Sequence, residues 1–189
     1  MVMNVAVFCA SANGVGSIYF DDARKLGEEI GNRGWKLVYG GTCVGLMHQV
    51  AAATMNSGGK AVGVIPECIK SRGVAAEGLD ELVVAPDMKE RKFLLRTYAD
   101  AFVALPGGWG TLEEITEVIT LKQLGQHNKP VVFLNTAGFY DGLLDFISGI
   151  RDKGFVASAY DKLYFVANSV EEVIRYLESY QGSENISKY

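Results

Sequence analysis

The sequence predicts an α/β fold with a doubly wound parallel sheet, Rossmann-like and built as a single domain. Short apolar runs alternate with longer amphipathic segments along almost all of the 189 residues. The apolar runs lack a period of two, which is typical of strands that helices cover on both faces. Alternating strand–helix units of this kind form parallel sheets with right-handed crossovers. In such sheets, ligands bind at the carboxyl ends of the strands, where the strand order reverses.

The elements can be assigned in chain order from hydrophobic periodicity and from the Gly and Pro residues that bound them. Asp87 is predicted to cap the helix that follows it, and Ser169 with Glu172 forms a capping box. Residues 67–80 have poor periodicity and predict a loop with at most a short helix. The predicted strands are 4–9, 36–39, 61–65, 81–85, 101–105, 131–134 and 164–167. The predicted helices are 18–33, 45–56, 88–98, 111–124, 140–153 and 169 to about 180.

Composition limits the possible functions. Residues 1–180 are expected to form one catalytic domain, and 181–189 a polar tail that frays. The net charge of −4 argues against nucleic-acid binding, which usually relies on a basic excess. No apolar stretch approaches the roughly 18–20 residues of a membrane span, and the N-terminus lacks the basic region of a signal peptide. Three cysteines without metal-type spacing predict a cytoplasmic protein with reduced thiols and no metal.

The most informative segment is 106–114, Pro-Gly-Gly-Trp-Gly-Thr-Leu-Glu-Glu. Gly107, Gly108 and Gly110 tighten a turn between a strand and a helix, so that backbone N–H groups can point at an anion. The helix dipole adds about half a positive charge there. The segment matches neither a Walker A loop nor a dinucleotide fingerprint. Thr111 is the predicted N-cap, and a plain tight turn remains the alternative to phosphate binding.

Charged residues near this turn have both structural and functional interpretations. Glu114 completes a Thr-x-x-Glu capping box with Thr111, and spacing alone favours that structural role. Glu113 points about 100° away on the helix and is equally compatible with a solvated face. Arg91 and Lys92 lie in the first turn of their helix, where the dipole disfavours cations. The pair therefore indicates either an anion to bind or a solvated helix face.

Two further loops between a strand and a helix also contain glycine. Residues 10–14 follow the first strand and residues 40–47 follow the second, and each either offers N–H groups to a nucleotide or makes a tight turn. Trp109 either covers a ligand or packs on the sheet. The two histidines, His48 and His127, are isolated in the sequence.

Taken together, these motifs resemble the LOG ("Lonely Guy") family. The resemblance is carried by Pro-Gly-Gly-x-Gly-Thr-x-x-Glu at 106–114, Met-x-x-Arg-Lys at 88–92 and Gly-Gly-x-x-x-Gly-Leu-Met at 40–47. Cys9-Ala-Ser11 resembles the end of that family's first strand. The resemblance extends over about residues 4–180.

The resemblance implies a phosphoribohydrolase that hydrolyses the N-glycosidic bond of cytokinin riboside 5'-monophosphates, AMP or both, releasing free base and ribose 5-phosphate. It implies Arg91 and Glu114 as the catalytic pair, which overrides the capping interpretation of Glu114. It also implies a homodimer, a small-molecule nucleoside 5'-monophosphate as the partner, and no cofactor. The expected substrate- and phosphate-binding residues are Ser11, Gly41, Lys92, Gly107, Gly108, Trp109, Gly110, Thr111, Glu113 and Thr120.

The chain departs from the family pattern at two places, and both concern the preferred base. His48 stands where the family often has glycine, and residues 71–78 match the base-binding stretch only loosely, through Glu77. Many family members were once labelled lysine decarboxylases, yet nothing in this sequence suggests a pyridoxal phosphate site. Two alternatives remain open: a general purine nucleoside-monophosphate nucleosidase in salvage, and a non-catalytic nucleotide-binding module.

Overall fold

A computed structural model describes residues 2–157 and 162–182, so most of the predicted tail at 181–189 lies outside the described residues. Within them, seven strands form one parallel sheet in the order β4-β3-β2-β1-β5-β6-β7. The strands are β1 Asn4–Phe8, β2 Lys36–Tyr39, β3 Lys60–Pro66, β4 Glu81–Ala85, β5 Ala101–Ala104, β6 Val131–Leu134 and β7 Phe165–Ala167. The helices are α1 Ser17–Asn32, α2 Gly45–Asn56, α3 Glu67–Lys70, α4 Met88–Tyr98, α5 Trp109–Gln123, α6 Asp141–Asp152 and α7 Val170–Ser179.

Helices cover both faces of the sheet, which confirms the doubly wound prediction. Alternate residues of β1 point to opposite sides, so Val5 and Val7 join one core cluster while Ala6 and Phe8 join the other. The first cluster packs α1, α2 and α7 against the sheet, and the second packs α4 and α5. Because both faces are buried, the strands read as continuous apolar runs without alternation.

Local capping follows the sequence prediction at two helices. The Asp87 carboxylate accepts a hydrogen bond from the Glu90 backbone N–H at 2.8 Å. The Ser169 hydroxyl accepts one from the Glu172 N–H at 3.3 Å. The Glu172 carboxylate turns back to the Asn168 N–H, at 2.8 Å, one residue earlier than a standard capping box.

The strand order reverses at β1, which pairs with β2 on one side and with β5 on the other. The chain moves outward from β1 to β4, then crosses back through α4 to β5. The loops that follow β1 and β5 therefore meet at the centre of the sheet's carboxyl edge, where the Ala10 N–H donates to the Pro106 carbonyl at 3.2 Å. This is the switch point at which open α/β sheets bind ligands.

Candidate functional site

The amino terminus of α5 faces the switch point and is uncapped. The helix begins at Trp109, with Gly108 extended before it and no side chain as a cap. Within the described chain, the N–H groups of Trp109, Gly110 and Thr111 meet no acceptor, whereas the Gly45 N–H at the start of α2 donates to the Asn13 side chain at 2.8 Å. Unlike the start of α2, the start of α5 therefore keeps its first N–H groups free for an anion at the switch point.

The predicted capping box at Thr111 and Glu114 is wrong. Thr111 is the third residue of α5 rather than its N-cap, and Glu114 lies in the second turn. The helix starts at Trp109, two residues before its predicted start at Thr111, and the extended Gly108 occupies the N-cap position without a capping side chain. The Thr111 side chain instead lies directly over Gly107, where a Cβ on residue 107 would overlap it. This shift leaves the Glu114 carboxylate available for another partner.

That partner is Arg91. Arg91 Nη1 donates to Glu114 Oε1 at 2.5 Å, and Arg91 Nε donates to the Val64 carbonyl at 3.1 Å. Both side chains are less than a tenth exposed. Burial raises the pKa of the Glu114 carboxyl above its ordinary value, and the Arg91 charge opposes that rise. Arg91 therefore does not lie on a solvated helix face.

Gly40 makes room for this guanidinium. A Cβ at residue 40 would lie 2.6 Å from Arg91 Nη2 and 2.9 Å from Met47 Sδ. Arg91 Nη2 has no acceptor among the described residues. The end of β2 thus holds the guanidinium in place while leaving one of its nitrogens free for a ligand.

Two connected cavities surround the ion pair. The inner pocket, of about 220 Å³, contains Arg91 and Glu114 beside the α5 terminus. The front cleft, of about 450 Å³, shares Ser11, Met47, Arg91 and Gly110 with it. Apolar side chains line much of the front cleft: Val44, Met47, Pro66, Ile69, Val74 and Met88. The buried ion pair therefore adjoins a space suited to a flat or apolar group.

The structure brings most of the predicted site residues into the inner pocket. Each belongs to the loop after β1, to α4 or to the start of α5. They are Ser11, Arg91, Gly108, Trp109, Gly110, Thr111 and Glu114. Trp109 is 88% exposed, so it does not pack on the sheet.

The other predicted residues lie elsewhere. Lys92 pairs with Glu113 at 2.6 Å on the outer surface between α4 and α5, and this hydrogen bond raises the pKa of Lys92. Gly41 adopts a φ of +72° and packs against β3, while its neighbour Gly40 lines the front cleft. Gly107 faces a separate apolar pocket behind the glycine turn. Thr120 lies exposed on α5, about 13 Å from Thr111 along the helix axis.

Sequence reasoning missed Gly40, Asn13 and the apolar lining of the front cleft. Asn13 lies within the glycine-containing loop after β1. Its hydrogen bond to the Gly45 N–H joins residues 32 positions apart, so local sequence patterns do not indicate it. Ile69 comes from the segment with poor periodicity, and Arg72 and Val74 come from the stretch that matches the family's base-binding residues only loosely. Among the described residues, no His, Cys, Asp and Glu cluster could hold a metal ion, and no helix is long and apolar enough to span a membrane.

Comparison with known proteins identifies relatives along almost the whole chain. A family model described as "Possible lysine decarboxylase" matches residues 47–177. The chain is 44% identical over 176 residues to the cytokinin riboside 5'-monophosphate phosphoribohydrolase LOG of Oryza sativa subsp. japonica, covering 93% of this chain and 73% of that protein. It is 42% identical to the corresponding LOG1 of Arabidopsis thaliana, covering 93% of this chain and 83% of that protein.

A structural comparison agrees at the level of the fold. The molybdenum cofactor binding protein of Rippkaea orientalis superimposes with a TM-score of 0.73 at 22% identity, covering 95% of this chain and 97% of that one. Identity this low shows a shared Rossmann-like fold alone.

Proposed function

The chain belongs to the LOG family of cytokinin riboside 5'-monophosphate phosphoribohydrolases, and from that premise we propose that it hydrolyses the N-glycosidic bond of cytokinin riboside 5'-monophosphates, AMP or both. The products are the free base and ribose 5-phosphate. The observation that carries the proposal is the buried Arg91–Glu114 pair beside the uncapped α5 terminus, in one pocket at the switch point.

The 5'-phosphate binds at the amino terminus of α5. The N–H groups of Trp109, Gly110 and Thr111 supply donors, and the helix dipole favours the dianion. The Thr111 hydroxyl, which lines the same pocket, adds a further donor. Binding energy from this remote group positions the sugar for reaction.

Glu114 lies where the sugar becomes cationic. Breaking a ribosyl C–N bond passes through an oxocarbenium-like transition state, which a nearby carboxylate stabilises. The bond electron pair leaves with the base, the oxygen of a water molecule bonds to C1', and the proton released by that water ends on the base. Glu114 orients the water and stabilises the positive sugar, while Arg91 Nη2 offsets the negative charge that develops on the leaving base.

The front cleft receives the base. Its apolar lining by Val44, Met47, Ile69, Val74 and Met88 matches a purine ring with an apolar N6 substituent. None of the residues that line the front cleft or the inner pocket is a lysine, the residue that a pyridoxal phosphate enzyme needs for its Schiff base. The donor set therefore fits nucleotide hydrolysis better than amino-acid decarboxylation.

The test is incubation with isopentenyladenosine monophosphate, AMP and adenosine, with free base and ribose 5-phosphate followed by chromatography. Glu114→Gln is expected to lose base release, while Glu113→Gln, an exposed neighbour outside the pocket, retains it. Adenosine is expected to be a poor substrate because it lacks the phosphate. Full turnover by Glu114→Gln would contradict the catalytic assignment. Ligand-dependent thermal stabilisation without turnover of any nucleotide would instead support a binding module.

The same proposal includes a homodimer, because Thr120 is too far along α5 to contact a ligand bound in its own chain's pocket. If Thr120 contacts ligand, as the family resemblance implies, a second copy must present it. The exposed Phe93 on neighbouring α4 offers apolar surface for such contact. Light scattering of the purified protein is expected to give twice the 20.5 kDa chain mass, and a monomer at assay concentration contradicts this part.

We also propose a cytoplasmic location. All three cysteines are free thiols, and Cys43 and Cys68 are exposed, which suits a reducing compartment. Fractionation of cells that express the chain tests this, and recovery outside the cytoplasm would contradict it.

A further inference from the structure

The side chain of Met47 lies where the inner pocket meets the front cleft. Met47 belongs to the first turn of α2, is part-exposed, and lines both cavities, so a small solute in either one reaches it. The proposed hydrolysis gives Met47 no role beyond its share of the apolar lining. Unlike the aliphatic side chains of the same cleft, its thioether can be oxidised.

The first hydrogen-bond donor beside this sulfur is the Thr42 hydroxyl. Thr42 is 6% exposed, and its hydroxyl donates to Met47 Sδ at 3.2 Å, the one hydrogen bond that this side chain makes among the described residues. A thioether is a weak acceptor, whereas buried hydroxyl groups normally bond to an oxygen atom. The contact with Met47 therefore satisfies the Thr42 hydroxyl only in part.

The second donor is the free nitrogen of the Arg91 guanidinium. Nε and Nη1 donate to the Val64 carbonyl and to Glu114, while Nη2 has no acceptor within the described part of the chain. A Cβ on residue 40 would lie 2.6 Å from Nη2 and 2.9 Å from Met47 Sδ. The nitrogen and the sulfur therefore lie side by side next to Gly40, which places no side chain between them.

An oxygen atom on the sulfur would supply the acceptor that both donors lack. A sulfoxide oxygen is polar and accepts hydrogen bonds, and the bond from a guanidinium is charge-assisted. Oxidation of a packed methionine usually disrupts its surroundings because it introduces a polar group among apolar ones. At Met47 two donors already lie beside the sulfur, so the surroundings suit the sulfoxide as well as the thioether.

We propose that Met47 is a redox modification site, at which a peroxide converts the thioether to a sulfoxide that accepts hydrogen bonds from Thr42 and from Arg91 Nη2. The sulfur lone pair attacks one oxygen of hydrogen peroxide, and an S–O bond forms as the O–O bond breaks. The departing hydroxide takes the proton from the oxygen now on sulfur and leaves as water. The sulfur is thereby oxidised and the peroxide reduced.

This modification switches off the proposed reaction. With Nη2 bonded to the sulfoxide, that nitrogen no longer offsets the negative charge that develops on the leaving base. The loss of turnover rests on the proposed function, whereas the modification and its two hydrogen bonds do not.

Hydrogen peroxide is the probe. The whole protein is treated with it and then with dithiothreitol, which reverses cysteine disulfides and sulfenic acids but leaves methionine sulfoxide. Peptide mass spectrometry is expected to find the sulfoxide at Met47, and kcat for isopentenyladenosine monophosphate is expected to fall about 10²-fold in the oxidised fraction. Methionine sulfoxide reductases A and B together should restore kcat.

Two leucine variants assign the loss to one methionine, each compared with its own untreated sample. Met47→Leu is expected to show no loss that survives dithiothreitol. Met88→Leu removes another methionine of the front cleft and is expected to lose kcat as the wild type does. Full recovery with dithiothreitol alone, or an unchanged kcat after complete oxidation of Met47, overturns the inference.

Thermal unfolding tests the hydrogen bonds of the sulfoxide without any turnover. Oxidation is expected to lower the Tm of Thr42→Val by roughly 2–5 °C more than the Tm of the wild type, because the variant lacks one donor. An equal fall in both proteins contradicts the proposed contact, whether or not a nucleotide is hydrolysed. The expected difference in a protein without turnover supports the modification site and counts against the hydrolase alone.

Discussion

Replacing Gly40 by alanine tests whether the position of the Arg91 guanidinium is necessary for catalysis. The added Cβ would lie 2.6 Å from Arg91 Nη2 and 2.9 Å from Met47 Sδ, both closer than real Cβ contacts allow. The guanidinium is held at the other side by the Val64 carbonyl and Glu114, at 3.1 and 2.5 Å. It cannot move away from the new methyl group without disturbing one of these bonds.

The magnitude follows from the interactions that are lost. A charge-assisted hydrogen bond contributes about 1.5–3 kcal/mol, and overpacking of a well-packed site costs about 1–3 kcal/mol. We expect Gly40→Ala to lower the free energy of unfolding by about 2–4 kcal/mol, which corresponds to a Tm lower by roughly 5–12 °C. A misplaced charge-stabilising group should lower kcat about 10²–10³-fold.

The assay is base release from isopentenyladenosine monophosphate, measured well below the Tm of the variant and alongside thermal unfolding. Gly142→Ala is the matched control, because a Cβ there meets nothing within 4 Å and residue 142 lies inside α6. That control should gain about 0.5–1 kcal/mol of stability and keep wild-type kcat. Near-normal kcat in folded Gly40→Ala would refute the argument that the guanidinium position matters.

Four further predictions concern three side chains of the inner pocket. The pKa of Glu114 is raised in the folded protein, so its contribution to the free energy of unfolding is present at low pH. That contribution declines as the pH rises from the ordinary glutamate pKa through the raised pKa of the folded protein. Urea unfolding across a pH series should show this decline in the wild type and not in Glu114→Gln. In the same window, wild-type kcat/KM should rise with pH as the carboxylate ionises; an acid limb at the ordinary glutamate pKa would contradict this. Thr111→Val should lower kcat/KM about 10–100-fold for the 5'-monophosphate but leave the slow reaction of the nucleoside unchanged, and equal losses on both would exclude a phosphate contact. Trp109→Ala should change the free energy of unfolding by less than about 0.5 kcal/mol, because the side chain is 88% exposed. The same variant should raise KM by roughly five-fold, and an unchanged KM would show that Trp109 does not cover the ligand.

Most of the fold could be predicted from local sequence patterns. The predicted bounds of β2, α2, β4, α4 and β6 agree with the structure. The Asp87 cap, the Ser169 cap and the continuous apolar strands are all decided within a few residues of chain. Sequence reasoning can evaluate such interactions because propensity and capping depend on near neighbours.

The start of α5 shows where local reasoning failed. Thr-x-x-Glu at 111–114 is a valid capping signature, but the extended Gly108 begins the helix two residues earlier. Tertiary contacts then place the Thr111 side chain over Gly107 and bury Glu114 beside Arg91, 23 positions away in the chain. A capping signature carries no information about a partner on another helix.

The sequence by itself determined the sheet architecture, the glycine turn after β5 and, through motif resemblance, the family. Only the tertiary structure decided that Arg91 pairs with Glu114 while Lys92 turns outward to Glu113, and that Gly40 supplies the space for the guanidinium. The physical reason is the range of the interactions. Periodicity and capping act within a turn or two of chain, whereas a buried ion pair and a cavity wall depend on how distant elements pack together.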